Sequence, residues 1–154
     1  MTDLSVNLNK QISAPIQTVF EAWLDPETLA KFILPMPGMP SPQVENDAVE
    51  GGSFTIVMHV GDDKIPHTGK YLEITRFSKL VFSWVSPVST DDSTVTLVFT
   101  EVSPQQTLVE LTHIKFLNEE TRRNHEGGWG NILDKLNHCC PVNLNSAVIP
   151  AKAG

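Results

Sequence analysis

Two histidines are the side chains of this sequence best suited to acid–base chemistry. His113 falls on the apolar parity of a predicted strand, so we expect it on the face that points into the core. His125 lies four residues before Trp129 on a helical stripe, which directs it towards the same apolar space. A histidine in that position could serve as a general base or ligand donor, with Glu73 or Tyr71 as its partner.

The same residues also allow a purely structural interpretation. Each histidine could donate a hydrogen bond to a backbone carbonyl, or pack half-buried at the rim of a cavity. Metal binding would need a third ligand, and none can be placed near His113 and His125, so we predict no metal site and no cofactor. The other histidines are predicted outside the apolar space: His59 on the opposite strand parity, His67 at a hairpin entrance and His138 near the helix end.

These candidates must be positioned by a strand, two short helices, further strands and a long helix. Residues 4–12 alternate apolar and polar, which predicts the first strand. Ser13 is predicted to cap the first helix, with Pro15 in its first turn, and Asp25 to cap the second. The proline-rich residues 34–43 predict an extended loop with exposed methionines, either a connector or a lid over a pocket.

From residue 49 onwards the apolar period changes to two, and turn residues separate short strands up to residue 116. Asn118 is predicted to cap a long amphipathic helix that Pro141 ends. A sheet must cover its apolar face, and this helix is the long element available for it. We therefore predict an α+β fold: a curved antiparallel sheet of about seven strands, two short helices, and the C-terminal helix over the concave face.

Composition excludes several classes of function. The 154 residues, 40% hydrophobic and 19% charged, indicate one ordinary globular domain. The 11 basic and 18 acidic side chains give a net charge of −7, which disfavours nucleic acid and anionic membranes as partners. No apolar run approaches the roughly 18 residues of a membrane span. Without a secretory signal the expected location is the cytoplasm, as a monomer or a homodimer.

Five motifs, in this order and spacing, resemble one known family: APIQTVFEAWLDPETLAKF, EGGSF, GKYLEI with LVFSW, TLVELTH and HEGGWGNILDKL. The sequence is similar to the activator-of-heat-shock-protein-90-ATPase homology family, within the START-like, helix-grip superfamily typified by the birch-pollen allergen. The resemblance implies a domain over residues 1–139, a tail over residues 140–154, and a cavity between sheet and long helix. The sequence departs from the family at Phe32 and Ile33, where members often carry two tryptophans. It also departs at Gly127 and Gly130, which are additional to the glycine of the family motif, Gly128.

The predicted function is the binding of a small, largely apolar ligand in that cavity. The residues predicted to line it are Phe54, Met58, Trp84, Phe99, His113, His125 and Trp129. One alternative, implied by the resemblance, is a module that interacts with a chaperone. Another is an acid–base enzyme, such as a cyclase or hydrolase, that uses the cavity histidines.

Three glycines surround the tryptophan of the long helix, although each costs roughly 1 kcal/mol relative to alanine there. Gly127, Gly128 and Gly130 are predicted to let the helix backbone approach the sheet or the short helices closely and seat Trp129 in the core. Whether they serve close packing alone or also open the pocket is left open by the sequence.

Overall fold

The computed structural model describes residues 4–34, 40–86, 93–116 and 118–139. Its seven strands are β1 (Ser5–Ile12), β2 (Gln43–Asn46), β3 (Ser53–Val60), β4 (Asp63–Thr75), β5 (Lys79–Ser83), β6 (Thr94–Ser103) and β7 (Gln106–Ile114). Its helices are α1 (Ile16–Ala22), α2 (Pro26–Phe32) and α3 (Glu119–Cys139). The predicted tail over residues 140–154, Pro141, and Met36 and Met39 of the proline-rich loop lie outside the described residues.

All strand pairs are antiparallel, in the order β1-β7-β6-β5-β4-β3-β2. The chain therefore crosses once from the edge strand β1, through α1 and α2, to the other edge at β2. From there it returns strand by strand to β7, which pairs with β1. The helix α3 then packs on the sheet, so the predicted α+β helix-grip fold is confirmed.

The core follows the alternation of the strands. On β3, Phe54, Ile56 and Met58 are buried, and the same alternate pattern buries residues of β6 and β7. The covering helix contributes a buried stripe of Trp129, Ile132, Leu133 and Leu136. These two faces meet to form the apolar interior.

Helix starts follow the predicted caps in two cases out of three. The Asp25 carboxylate accepts the Thr28 N–H at 3.1 Å, and Asn118 Oδ1 accepts the Thr121 N–H at 2.8 Å. The prediction for Ser13 was wrong. Pro15 is the N-cap of α1 and forms no side-chain cap, while the Ser13 N–H donates to Asn137 Oδ1 at 2.9 Å and ties this turn to α3.

The explanation offered for two of the helix glycines was also wrong. A Cβ atom built on Gly127 or Gly130 would meet nothing within 4 Å apart from its own helix turn and chain neighbours. These two positions therefore face open space and do not permit a close approach between α3 and the sheet. Among the described residues, no helix is long and apolar enough to cross a membrane.

Candidate functional site

A pocket of about 170 Å³ lies between the sheet and α3. We call it the α3 pocket. Its walls come from β3, β4, the residue after β5 and α3: Met58, His67, Trp84, Asn124, His125, Gly128, Trp129 and Ile132. The walls combine apolar and aromatic side chains with a few polar groups, which is the composition typical of small-molecule sites.

A second, smaller space lies deeper, against α2. We call it the inner void. It measures about 20 Å³, room for about one water molecule, and is lined by Trp23, Leu29, Ile33, Phe54, Ile56, Tyr71, Phe82 and Trp84. Trp84 is the one described residue that borders both spaces. Trp84 therefore contributes to the walls of both.

A buried chain of hydrogen bonds holds the tryptophan of α3 against the sheet. The Trp129 indole N–H donates to His113 Nδ1 at 2.9 Å, and His113 Nε2 lies 2.8 Å from the Ser93 hydroxyl. All three side chains are buried. Because an indole N–H can only donate, Nδ1 must be the acceptor, and the proton of neutral His113 sits on Nε2 and points to Ser93.

Burial also fixes the charge of this histidine. Desolvation, with a further contribution from nearby His125, lowers the pKa of His113 from 6.5 to about 3. At neutral pH the ring is uncharged and both of its nitrogens are engaged. His113 thus acts as a structural link between β7 and α3, and an acid–base reaction in this region would have to use another group.

His125 is anchored differently. Its Nδ1 donates to the Thr121 carbonyl one turn earlier at 2.9 Å, because a carbonyl can only accept. The second ring nitrogen, Nε2, is therefore the one available to a ligand in the α3 pocket. Its ring centroid lies 5.3 Å from that of His113, nearly perpendicular to it. This residue is the pocket's candidate for a hydrogen bond to a ligand.

His67 is the pocket residue that the sequence prediction placed wrongly. It lies in the middle of β4 rather than at a hairpin entrance, with its ring centroid 5.0 Å from Trp84. Burial is the main cause of the lowered pKa of His67. The backbone of Ile56 raises this pKa, and the electrostatic interaction with His125 lowers it further. Its Nδ1 and the Trp84 indole N–H are buried without a hydrogen-bond partner among the described residues.

The sequence profile described as Activator of Hsp90 ATPase homolog 1-like protein matches residues 13–140. The chain belongs to this family. No curated protein matches the chain significantly.

Solved structures share the fold of this Activator of Hsp90 ATPase homolog 1-like chain. Protein CV1439 from Chromobacterium violaceum is 23% identical, with a TM-score of 0.80 over 91% of this chain and 99% of its own. CalU16 from Micromonospora echinospora is 26% identical, with a TM-score of 0.67 over 88% of this chain and 75% of its own. PFC0360w, an HSP90 activator from Plasmodium falciparum, is 24% identical, with a TM-score of 0.70 over 88% and 94%.

In this family member, four of the seven predicted site residues surround the α3 pocket: Met58, Trp84, His125 and Trp129. Phe54 borders the inner void instead. Phe99 packs in the core, with its ring 4.9 Å from Phe20, and borders neither space. His113 lies behind Trp129 and is buried by it rather than exposed to the pocket.

The proposed partners of the histidines lie elsewhere. A register shift between Tyr71 and Glu73 breaks the strand alternation, so the two side chains do not share a face. The Tyr71 hydroxyl accepts from Asn46 at 3.0 Å next to the inner void, and its pKa is raised by burial. Glu73 is partly exposed and lies 3.7 Å from Lys79. Among the described residues, no group of three His, Cys, Asp or Glu could hold a metal ion.

Proposed function

We propose that this protein binds a small, largely apolar molecule, about the size of one aromatic ring, in the α3 pocket. The observation that carries the proposal is the pocket itself, about 170 Å³ and walled mostly by Met58, Trp84, Trp129 and Ile132. An apolar protein cavity of about 150 Å³ is known to accept benzene. A one-ring molecule is therefore the size class that fills this space.

The polar groups of the pocket would orient such a ligand. Nε2 of His125 can accept a hydrogen bond, and the amide of Asn124 on the same helix can donate or accept one. A few polar contacts of this kind fix orientation, while the apolar walls provide most of the binding free energy.

Two neighbouring glycines of α3 give a matched test. Gly128 lines the pocket, whereas a side chain on Gly127 would enter open space. We expect Gly128→Leu to lower the affinity for toluene at least tenfold, measured by calorimetry or ligand-observed NMR, because the leucine occupies the ligand's volume. Gly127→Leu on the same helix should bind toluene as the wild type does. Equal affinity in the two variants would show that the ligand site is elsewhere.

A second candidate, interaction with a chaperone, is favoured by the family match over residues 13–140. The family's name refers to activation of the Hsp90 ATPase, and such activity would require binding to that chaperone. The test is the ATPase rate of Hsp90 from the same organism with and without saturating protein. We expect stimulation of at least twofold if the chain has this activity. An unchanged ATPase rate at saturation would rule out the chaperone interaction, and it would not contradict the proposed ligand binding.

A further inference from the structure

We propose that the indole of Trp84 is the partition that limits the ligand to one ring, by closing the inner void off from the α3 pocket. The inference rests on the proposed function, since it concerns the size of the molecule that the same site accepts. Trp84 would then determine the specificity of the site by excluding one class of ligand, elongated apolar molecules of two rings.

The position of the Trp84 indole supports this role. It is the one described residue common to the linings of both spaces. On the side of the inner void its ring centroid lies 6.2 Å from those of Phe54 and Phe82. On the other side it lies 5.0 Å from His67 and 5.1 Å from Trp129. The indole thus fills the layer between the two spaces.

The partition is a side chain, not a piece of backbone. The Trp84 backbone N–H donates to the Ser93 carbonyl at 2.8 Å, and the next residue, Val85, pairs with Thr68. These bonds stay in place when the side chain is changed. The indole N–H has no hydrogen-bond partner among the described residues, so the side chain can be shortened without breaking a hydrogen bond of its own.

The volumes set the expected effect. The α3 pocket, at about 170 Å³, matches one ring, and two rings need roughly twice the volume that accepts benzene. The inner void adds only about 20 Å³ while Trp84 is present. Shortening Trp84 joins the two spaces and adds most of the volume of the indole, which makes room for a second ring.

The experiment compares toluene with diphenylmethane as one-ring and two-ring probes, with calorimetry or ligand-observed NMR on the full chain. The variants are Trp84→Ala and the milder Trp84→Leu, which keeps the proposal testable if the alanine variant does not fold. The control is Phe99→Leu, which shortens another buried aromatic side chain that borders neither space. Circular dichroism verifies folding of each variant before binding is measured.

We expect at least a tenfold gain in affinity for diphenylmethane in the Trp84 variants relative to the wild type, and no gain in Phe99→Leu. No gain in a folded Trp84 variant, with toluene still bound by the wild type, would overturn the partition and leave the proposed function standing. An equal gain in Phe99→Leu would also overturn it, because general loosening of the core would then explain the result. If the wild type does not bind toluene, the proposed function itself fails and the partition fails with it.

Discussion

Trp84 and Trp129 are neighbours in the same aromatic layer, yet they are held in opposite ways. Their ring centroids are 5.1 Å apart and both side chains are buried. The Trp129 N–H donates to His113, which is itself bonded to Ser93, whereas the Trp84 N–H has no partner among the described residues. An unpaired buried donor costs about 1–3 kcal/mol. One tryptophan therefore anchors a helix through a hydrogen bond, and the other, within the part of the chain that the structure describes, is held by its ring contacts.

This difference separates two tasks that side chains of the same type can perform. The Trp129 hydrogen bond defines where α3 sits on the sheet, and with it the height of the α3 pocket. Trp84 divides the space that this placement leaves. Changes along the anchored chain should therefore act on stability, whereas changes at Trp84 should alter the choice of ligand in addition to the stability lost with a buried side chain.

The largest effect is expected from His113→Leu. Leucine has a similar volume but removes both hydrogen bonds, so that the Trp129 N–H and the Ser93 hydroxyl are left unpaired in the interior. We expect the free energy of unfolding to fall by about 3 kcal/mol in urea denaturation. The control is His59→Leu, on the opposite parity of β3, with an expected change within about 0.5 kcal/mol. Equal losses at the two positions would contradict the anchoring role.

The next effect is a pH dependence that comes from the same histidine. The pKa of His113 is about 3 in the folded protein against 6.5 for an ordinary histidine. Between these values the unfolded chain binds a proton that the folded chain does not, so stability is full above pH 6.5 and falls as the pH falls towards 3. From pH 6.5 to pH 5, His113 should cost about 2 kcal/mol.

The measurement for this prediction is the difference in unfolding free energy between the wild type and His113→Leu at pH 7 and pH 5. The variant lacks the titrating group, so the stability advantage of the wild type should shrink by about 2 kcal/mol on acidification. Histidines remote from His113 are present in both proteins and cancel in the difference, and the double variant His113→Leu/His125→Gln compared with His125→Gln controls for the neighbouring ring of His125. A constant difference would mean that His113 titrates at its ordinary pKa and is not desolvated.

The smallest effect compares the two tryptophans directly. Trp129→Phe and Trp84→Phe remove the same atoms, but the first leaves His113 Nδ1 unpaired, and the second removes a donor that has no partner among the described residues. We expect Trp129→Phe to be more destabilising by about 1–2 kcal/mol in urea denaturation. Similar losses in the two variants would indicate that the Trp129–His113 bond contributes little net stability.

Most of the fold could be predicted from the sequence because its long strands and its last helix have clear apolar periods. The alternation of β3, from Phe54 to Met58, and the helical stripe through Trp129 are both observed. The edge strand β2 was missed because its four residues, QVEN, are too few and too polar to show a period. The strand β4 continues through Pro66, which lies opposite Val57 of β3, although proline is unfavourable inside a strand.

The site was harder to predict than the fold, because strand parity gives the side of the sheet but not the partner of a side chain. Strand parity correctly predicted that His113 points into the core. Its hydrogen bonds to Trp129 and Ser93 could not be predicted, because they depend on how α3 docks on the sheet. His67 carried a usable signal, since it is four residues before buried Tyr71 and so on the same parity. This parity was not used, because His67 was predicted at the entrance of a hairpin rather than inside a strand.

The three members of the hydrogen-bonded chain come from distant parts of the sequence, at residues 93, 113 and 129. Their bonds can close only after β7 has paired in the sheet and α3 has docked on it. The Trp129 indole hydrogen should consequently exchange with deuterated solvent only when the helix lifts from the sheet. A single resonance in an NMR spectrum would thereby report how often α3 separates from the sheet and opens the interior.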